Sequence, residues 1–406
     1  MARYGSYAPD FSLRINGDKL PAALRGAVSS ISHTSGMEGA ARVEVTFANP
    51  GLRWLDHPLL GVDNPVSLEI GYLPDPLEEV FVGEITGVEP TFPSGGMPTL
   101  RLIAQDRLHR TAAGTKDRSF RISIPSVGNF PLPDVAVNSL VAGLNGLVPL
   151  PDPVGGALST IMTLVTVFAF PQVAQRAVRR QSGASDFQFL TQISKENGWE
   201  MYIDHSMEPR GYVLRFQFLI QDYSPNLSLE WGRSLMELTP KLTTVGDVFG
   251  VAARVWVESL KTEFVIVVSW DYDRAAFNLT VYPSLVGELD SVLGEEASKS
   301  TISIKPTGYA QAPYKILSEL LPRLNNRLTC SGRTIADTRI KAGQVLELKG
   351  IGETFSGLYR VTQVTHSFDS GGAISDFQGR REVWFGGIPT PKGAEGLVRL
   401  NGQSLG

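Results

Sequence analysis

Short apolar/polar alternations of period two, each cut off by a glycine or proline turn, set the main limit on how this chain can fold. Phe11, Leu13 and Ile15 alternate with Ser12, Arg14 and Asn16, and Gly17-Asp18 follows as a turn. Val43, Val45 and Phe47 alternate with Arg42, Glu44 and Thr46. Leu68, Ile70 and Tyr72 alternate with Glu69 and Gly71, and Leu100, Leu102 and Ala104 with Arg101 and Ile103. Successive side chains of a strand point to opposite faces, so the pattern predicts strands with one buried face. Asn49-Pro50 and Ser94-Gly95-Gly96 punctuate the runs. Short strands at this spacing favour a closed barrel or a sandwich.

The chain is long enough for a sizeable core. It has 406 residues, 42% of them hydrophobic, which predicts two to four domains. Only 19% are charged, and there are 41 Gly and 26 Pro. That balance suits a loop-rich β protein with large protein–protein surfaces, and equally a large β-rich enzyme. The 37 basic and 41 acidic residues leave a net charge of −4, and Arg179-Arg180 and Arg380-Arg381 are isolated pairs. No clustered positive field points to direct nucleic-acid contact. A single cysteine, Cys330, excludes an intramolecular disulfide and fits a reducing cytoplasm. The N-terminal MARYGSYAPDFSLRING lacks the apolar core of a secretory signal.

The alternation breaks between residues 111 and 184, a Pro- and Gly-rich region predicted to hold little regular strand. Residues 153–175 carry no charge, and 157–170 read ALSTIMTLVTVFAF. A membrane helix needs about 20 mainly apolar residues. This run is shorter, rich in Thr, and flanked by Gly155-Gly156 and Pro171, so it predicts a buried insertion or a surface that packs on a partner. A small α/β unit follows. Ser185 and Gln188 have capping-box spacing, Phe187, Leu190 and Ile193 recur every third residue, and Gly198 suits a C-cap. Strand-like runs at 199–203 and 212–220 flank a Pro209-Arg210-Gly211 turn. A second β region starts at 251–257, and the nearly unbroken apolar run 264–270 predicts a strand buried on both faces. Tyr314, Leu317, Leu320, Leu321, Leu324 and Leu328 predict a helix; Pro313 suits its first turn, while Pro322 predicts a kink or an early end. Further strands are predicted at 345–349, 357–368 and 377–384, and the last twenty residues read as an extended tail.

No catalytic constellation emerges. His33, His57, His109, His205 and His366 are scattered, without the spacing of a helical zinc site, and read as surface or satisfied core residues. Neither GxxxxGK[ST] nor GxSxG occurs. The glycine-rich run from Gly350 to Gly357 lies between strand patterns and reads as a β-turn, where glycine permits positive φ. The close carboxylates Asp271 and Asp273, Glu78 and Glu79, and Glu84 and Glu89 are the remaining route to hydrolysis. They read as solvated charges at strand ends. The sequons at Asn226 and Asn278 read as chance matches, since no secretion signal accompanies them. No catalytic, cofactor-binding or metal-ligating residue is therefore expected, and no cofactor.

Three ordered segments add a resemblance. Residues 81–89 (FVGEITGVE) with 100–108 (LRLIAQDRL) resemble first-barrel strands of the phage late control D family. Residues 185–199 (SDFQFLTQISKENGW) resemble its helix-plus-strand module. Residues 333–340, 342–352 (AGQVLELKGIG) and 355–369 (FSGLYRVTQVTHSFD) resemble its second barrel. The family includes contractile-tail baseplate hubs and the N-terminal hub half of type VI secretion VgrG spike proteins.

The resemblance implies a mainly β chain with an α+β insertion: two tandem β-barrel hub domains and a small α/β module. The first barrel would span 1–115, an apolar insertion 116–184, and the module 185–225, joined by 261–327. The second barrel would combine 226–260 with 328–385, leaving 386–406 as a tail. It further implies a homotrimer whose six barrels adapt the hexameric inner tail tube to a trimeric spike. Because the sequence stops soon after the second barrel, the spike is expected to be a separate VgrG-like or PAAR-tipped protein, beside other baseplate proteins. Such a particle would be assembled in the bacterial cytoplasm and belong to a phage tail or injection system. Within it, Phe355, Tyr359 and Phe368 are expected to pack the second barrel, and Gly83 and Gly357 to allow tight bends. Two alternatives are a cell-wall-degrading, carbohydrate-active tail enzyme and a membrane-associated assembly factor resting on 153–175.

Overall fold

The computed structural model describes residues 8–124, 128–169, 178–218, 223–243, 250–257, 261–271, 276–284, 301–304 and 312–388. The predicted alternation forms β1 (Ala8–Ile15), β2 (Asp18–Lys19), β3 (Val28–Gly36), β4 (Arg42–Ala48), β5 (Pro65–Leu73), β6 (Glu78–Thr91) and β7 (Thr99–Gln105). They pair antiparallel in the order β3-β4-β7-β6-β5-β1-β2. Of the predicted inward set, Leu13, Ile15, Val43, Val45, Phe47, Leu68, Ile70, Leu100, Leu102 and Ala104 are buried in one core, while Phe11 and Tyr72 are half-buried and pack against it. Each large apolar side chain there contributes roughly 1.5–3 kcal/mol of burial, which fixes the register, because a one-residue slip would expose the whole set. A short helix, α1 (Ala22–Arg25), adds Leu24 to this core.

The described residues of 116–184 depart from expectation, since most of them lie in strands and helices. They form β8 (Lys116–Ile124), β9 (Gly128–Pro131), α2 (Asp134–Leu144), β10 (Val148–Pro151), α3 (Pro153–Ala169) and β11 (Arg179–Ala184). The strands escape sequence reading for a physical reason. β8, β9 and β11 make a largely exposed three-stranded sheet with few buried apolar residues, and β10 is four residues long and half proline. The apolar run is helical, and its threonines are satisfied internally: Thr160 donates to the Gly156 carbonyl, Thr163 to Ser159 and Thr166 to Met162. Residues 170–175 of the uncharged run lie outside the described residues. Among the described residues no helix is long and apolar enough to cross a membrane.

The capping box at Ser185 is present as predicted: Ser185 Oγ accepts from the Gln188 amide, and the Gln188 side chain accepts from the Ser185 amide. It starts α4 (Asp186–Glu196), which ends before Gly198 at φ 65°. β12 (Glu200–Ile203) and β13 (Val213–Gln217) follow, and β10 completes their sheet as a parallel partner of β13. Phe189, Leu190, Ile193, Trp199 and Phe216 share a core with Val137 and Val141 of α2. The α/β module therefore draws on residues N-terminal to 185.

Next come β14 (Leu227–Glu230), β15 (Leu235–Leu242), β16 (Gly250–Val257), β17 (Thr262–Asp271), β18 (Ala276–Pro283) and β19 (Thr301–Ile304). The sequence reading puts 250–257 with the second barrel. In the structure β16 pairs with β17 and β19 in a separate sheet, ordered β18-β17-β16-β19. As predicted, β17 is buried on both faces: Val265 and Val267 point one way, Val268 and Trp270 the other. The helix α5 (Ala312–Asn325) covers one face through Ile316, Leu320 and Leu324. It runs three residues past Pro322, so the helix does not end early there.

The chain closes with β20 (Leu328–Ile335), β21 (Val345–Lys349), α6 (Gly352–Phe355), β22 (Gly357–Asp369) and β23 (Gly372–Arg380). The strand read at 377–384 starts earlier and stops at Arg380. Arg381 and Glu382 turn inward, and 383–385 form a 3₁₀ turn. The glycine-rich run holds the short α6 rather than a bare turn. The tail beyond 388 lies outside the described residues. β22 pairs antiparallel with β3 from Gln363↔Gly36 to Phe368↔Ile31, so both β regions belong to one thirteen-stranded sheet. The protein is mainly β, with several sheets and a smaller helical share.

Candidate protein–protein interface

Three bodies meet where β22 and β23 run beside the α/β module: the first β region, the second, and the module with α5. A polar network locks them. Arg360 of β22, 2% exposed, lies 2.7 Å from Glu200 and 3.3 Å from Glu382, and donates to the Gln217 side chain at 2.9 Å. Arg380 pairs with both carboxylates, Asn325 of α5 donates to Glu382, and Tyr202 donates to Gln217. Burial works against the charge on Arg360 and Arg380, but Glu200 and Glu382 outweigh it and hold both guanidinium pKa values above the ordinary one. Arg381 is held differently. It donates to the carbonyls of Thr354, Phe355, Ser356 and Gly387 and lies over the Tyr359 ring. There burial wins and lowers its pKa. Alternation places Arg360 opposite to Tyr359 and Val361, which predicts solvent. The module covers that face instead, and nothing in the sequence signals it.

The carboxylates weighed for hydrolysis serve as anchors. Glu78 pairs with Lys341 at 2.5 Å and Glu79 with Arg210 at 3.5 Å, tying β6 to the second β region and to the module. Glu84, expected to be solvated, is buried against Arg107 and Arg110, and Glu89 pairs with Arg101. Asp271 is buried at the end of β17, and Asp273 lies outside the described residues.

The expected structural residues divide. Tyr359 is buried in the second β core, and Phe355, part-buried, packs against it. Phe368 belongs to the first core instead, because pairing with Ile31 carries it there with Ala336 and Ala373. Gly83 makes no bend. It lies inside β6, where a Cβ would stand 2.2 Å from the Gln105 carbonyl oxygen. Gly357 does suit a bend: φ is +138° and Arg381 fills the space beside it.

Three of the scattered histidines converge. His33 and His366 face each other across the β3–β22 seam, and His205, from the β12–β13 loop, reaches the same place. His57 instead accepts from the Leu59 amide, and His109 approaches Glu84. Among the described residues no cluster of His, Cys, Asp or Glu could hold a metal.

The outer surface carries the candidate interface. Ile161, Leu164, Val165 and Phe168 recur at i, i+3, i+4 and i+7 as one exposed stripe along α3, with Phe168 80% exposed. Leu140 and Leu144 of α2 are exposed nearby in sequence, and α2 packs on α3. A second apolar row, Phe277, Leu279 and Val281, stands on β18 at the edge of its sheet, beyond the cover of α5. Uncharged rows of this kind suit burial against another protein better than water.

No family model matches the chain, and no curated protein matches it. Solved structures do. The 43 kDa tail protein of prophage MuSo2 from Shewanella oneidensis shares 11% identity, with a TM-score of 0.60 over 93% of this chain and 99% of that one. A tail protein from Neisseria meningitidis MC58 shares 11%, with a TM-score of 0.58 over 93% and 98%. The Escherichia coli c3393 protein, a type VI secretion component with structural similarity to the phage T4 tail proteins gp27 and gp5, shares 12%, with a TM-score of 0.54 over 94% and 77%. The fold of this chain is thus the fold of phage tail proteins, nearly end to end.

Proposed function

We propose that the chain is a structural baseplate hub subunit of a contractile phage tail or related injection system. The observation that carries this reading is the fold shared with the MuSo2 tail protein across 93% of this chain and 99% of that one. The exposed apolar stripes fit it, because a hub buries such surfaces between subunits and against neighbours. Three copies, each with two β regions, present six similar modules. That number lets a threefold hub meet a hexameric inner tube on one side and a trimeric spike on the other. Among the described residues Glu78, Glu79, Glu84 and Glu89 are each paired with a basic side chain, which supports an adaptor role. Assembly in the cytoplasm and incorporation into a particle follow from this role.

The test is mass in solution. Light scattering after gel filtration is expected to give three times the 44.1 kDa of one chain for the chain alone, and that mass plus the bound spike when the two are co-expressed. A monomer under both conditions would overturn the hub.

A further inference from the structure

His33 and His366 are directly opposite each other in the β3–β22 ladder, the only seam through which the two β regions share a sheet among the described residues. Their rings stack at 5.8 Å, Phe81 stands edge-on to His33 at 5.8 Å, and His205 lies 5.6 Å from Phe81. His33 is 3% exposed, and neither of its ring nitrogens has a hydrogen-bond partner; the same holds for His205. His366 is 2% exposed and bonds Ser375 Oγ at 2.7 Å through Nδ1. All three line one cavity of about 480 Å³ between the β regions and the module.

The charged groups around this cavity are already engaged. Glu78 pairs with Lys341, Glu79 with Arg210, Asp204 with Arg215 and Asp337 with Arg339. Asp106 accepts from the Ala41 and Leu108 amides and approaches His205 at 3.8 Å. No carboxylate is placed to receive a charged His33. A proton on His33 and another on His366 would put two cations opposite each other on a buried seam, a destabilising arrangement.

We propose that this histidine pair makes the β3–β22 seam acid-labile, so that the two β regions loosen from each other, and from the module, before their own cores melt. The sign follows from linkage. Burial lowers the pKa of His33 well below its ordinary value and that of His366 to about 4. The opened seam restores values near 6.5, so it binds more protons from about pH 6.5 down to about 4. Across that window the closed seam loses stability as pH falls. Between pH 7 and pH 5 the open form gains roughly 20-fold per histidine.

Hydrogen exchange of the full chain, corrected for the intrinsic pH dependence of amide exchange, tests this. Those amides of 30–36 and 363–368 that bond across the β3–β22 seam are expected to lose at least tenfold protection from pH 7 to pH 5, while those pairing β4 with β7 keep theirs. His33→Phe fills the same space without a titrating group, and is expected to fold and to cut that loss by at least fivefold. His366→Gln is the second variant, expected to do the same should His33→Phe not fold. Unchanged protection at pH 5 in the wild type would overturn the proposal. So would an equal loss in β4 and β7, or an undiminished loss in the folded variants.

Discussion

Replacing Arg360 by Met removes a charge and keeps most of the side-chain length. The structure sets the expected size of the effect. The substitution deletes ion pairs to Glu200 at 2.7 Å and Glu382 at 3.3 Å, a hydrogen bond to Gln217 at 2.9 Å and one to the Gly343 carbonyl at 3.3 Å. Glu382 stays 1% exposed with one guanidinium fewer. Breaking a buried pair from one side costs about 3–5 kcal/mol, because the surviving charge remains buried. Against a total stability of roughly 5–15 kcal/mol this is a large fraction. At a urea slope of about 1–3 kcal/mol/M, the midpoint should fall by one molar or more. A second substitution, Glu382→Gln, made in the Arg360→Met background, should cost less than it does alone, since it removes the charge left over; the coupling should exceed about 1 kcal/mol. Urea unfolding of the four proteins by circular dichroism gives all terms. A cost for Arg360→Met below about 1 kcal/mol, or strict additivity, would refute the argument that the network holds the three bodies.

Two further substitutions separate packing roles. Gly83→Ala should destabilise by at least about 1–3 kcal/mol, since its Cβ meets the Gln105 carbonyl oxygen at 2.2 Å and the Phe81 ring at 2.5 Å; thermal melting checks it, and a neutral result would mean that β6 and β7 can separate there freely. Phe368→Ala should cost about 3–5 kcal/mol and weaken hydrogen-exchange protection in β3, because the ring belongs to the first core and lies opposite Ile31; loss confined to β20 and β21 would place it in the second core after all.

What could be seen in the sequence was what depends on neighbours in the chain. Alternation fixed Leu13, Val45 and Leu102 on one face, and capping chemistry placed the start of α4 at Ser185, since both signals come from residues a few positions apart. What could not be seen depends on which face another body covers. Arg360 alternates like a solvent-facing residue, and the α/β module, folded from distant residues, encloses it. Phe368 follows the second-barrel strand faithfully, yet its ring enters the first core because β22 continues into β3. His33 and His366, 333 residues apart, look unrelated until that ladder sets them face to face. The sheet seam thus accounts for the reassignment of Phe368 and the histidine pairing, and the covering module for Arg360. A threefold hub would add one more layer of the same kind. The stripe on α3 reads from sequence as an uncharged insertion and in the single chain as an exposed apolar row; its chemistry is local, and in the proposed hub its purpose would be set by whichever neighbour buried it.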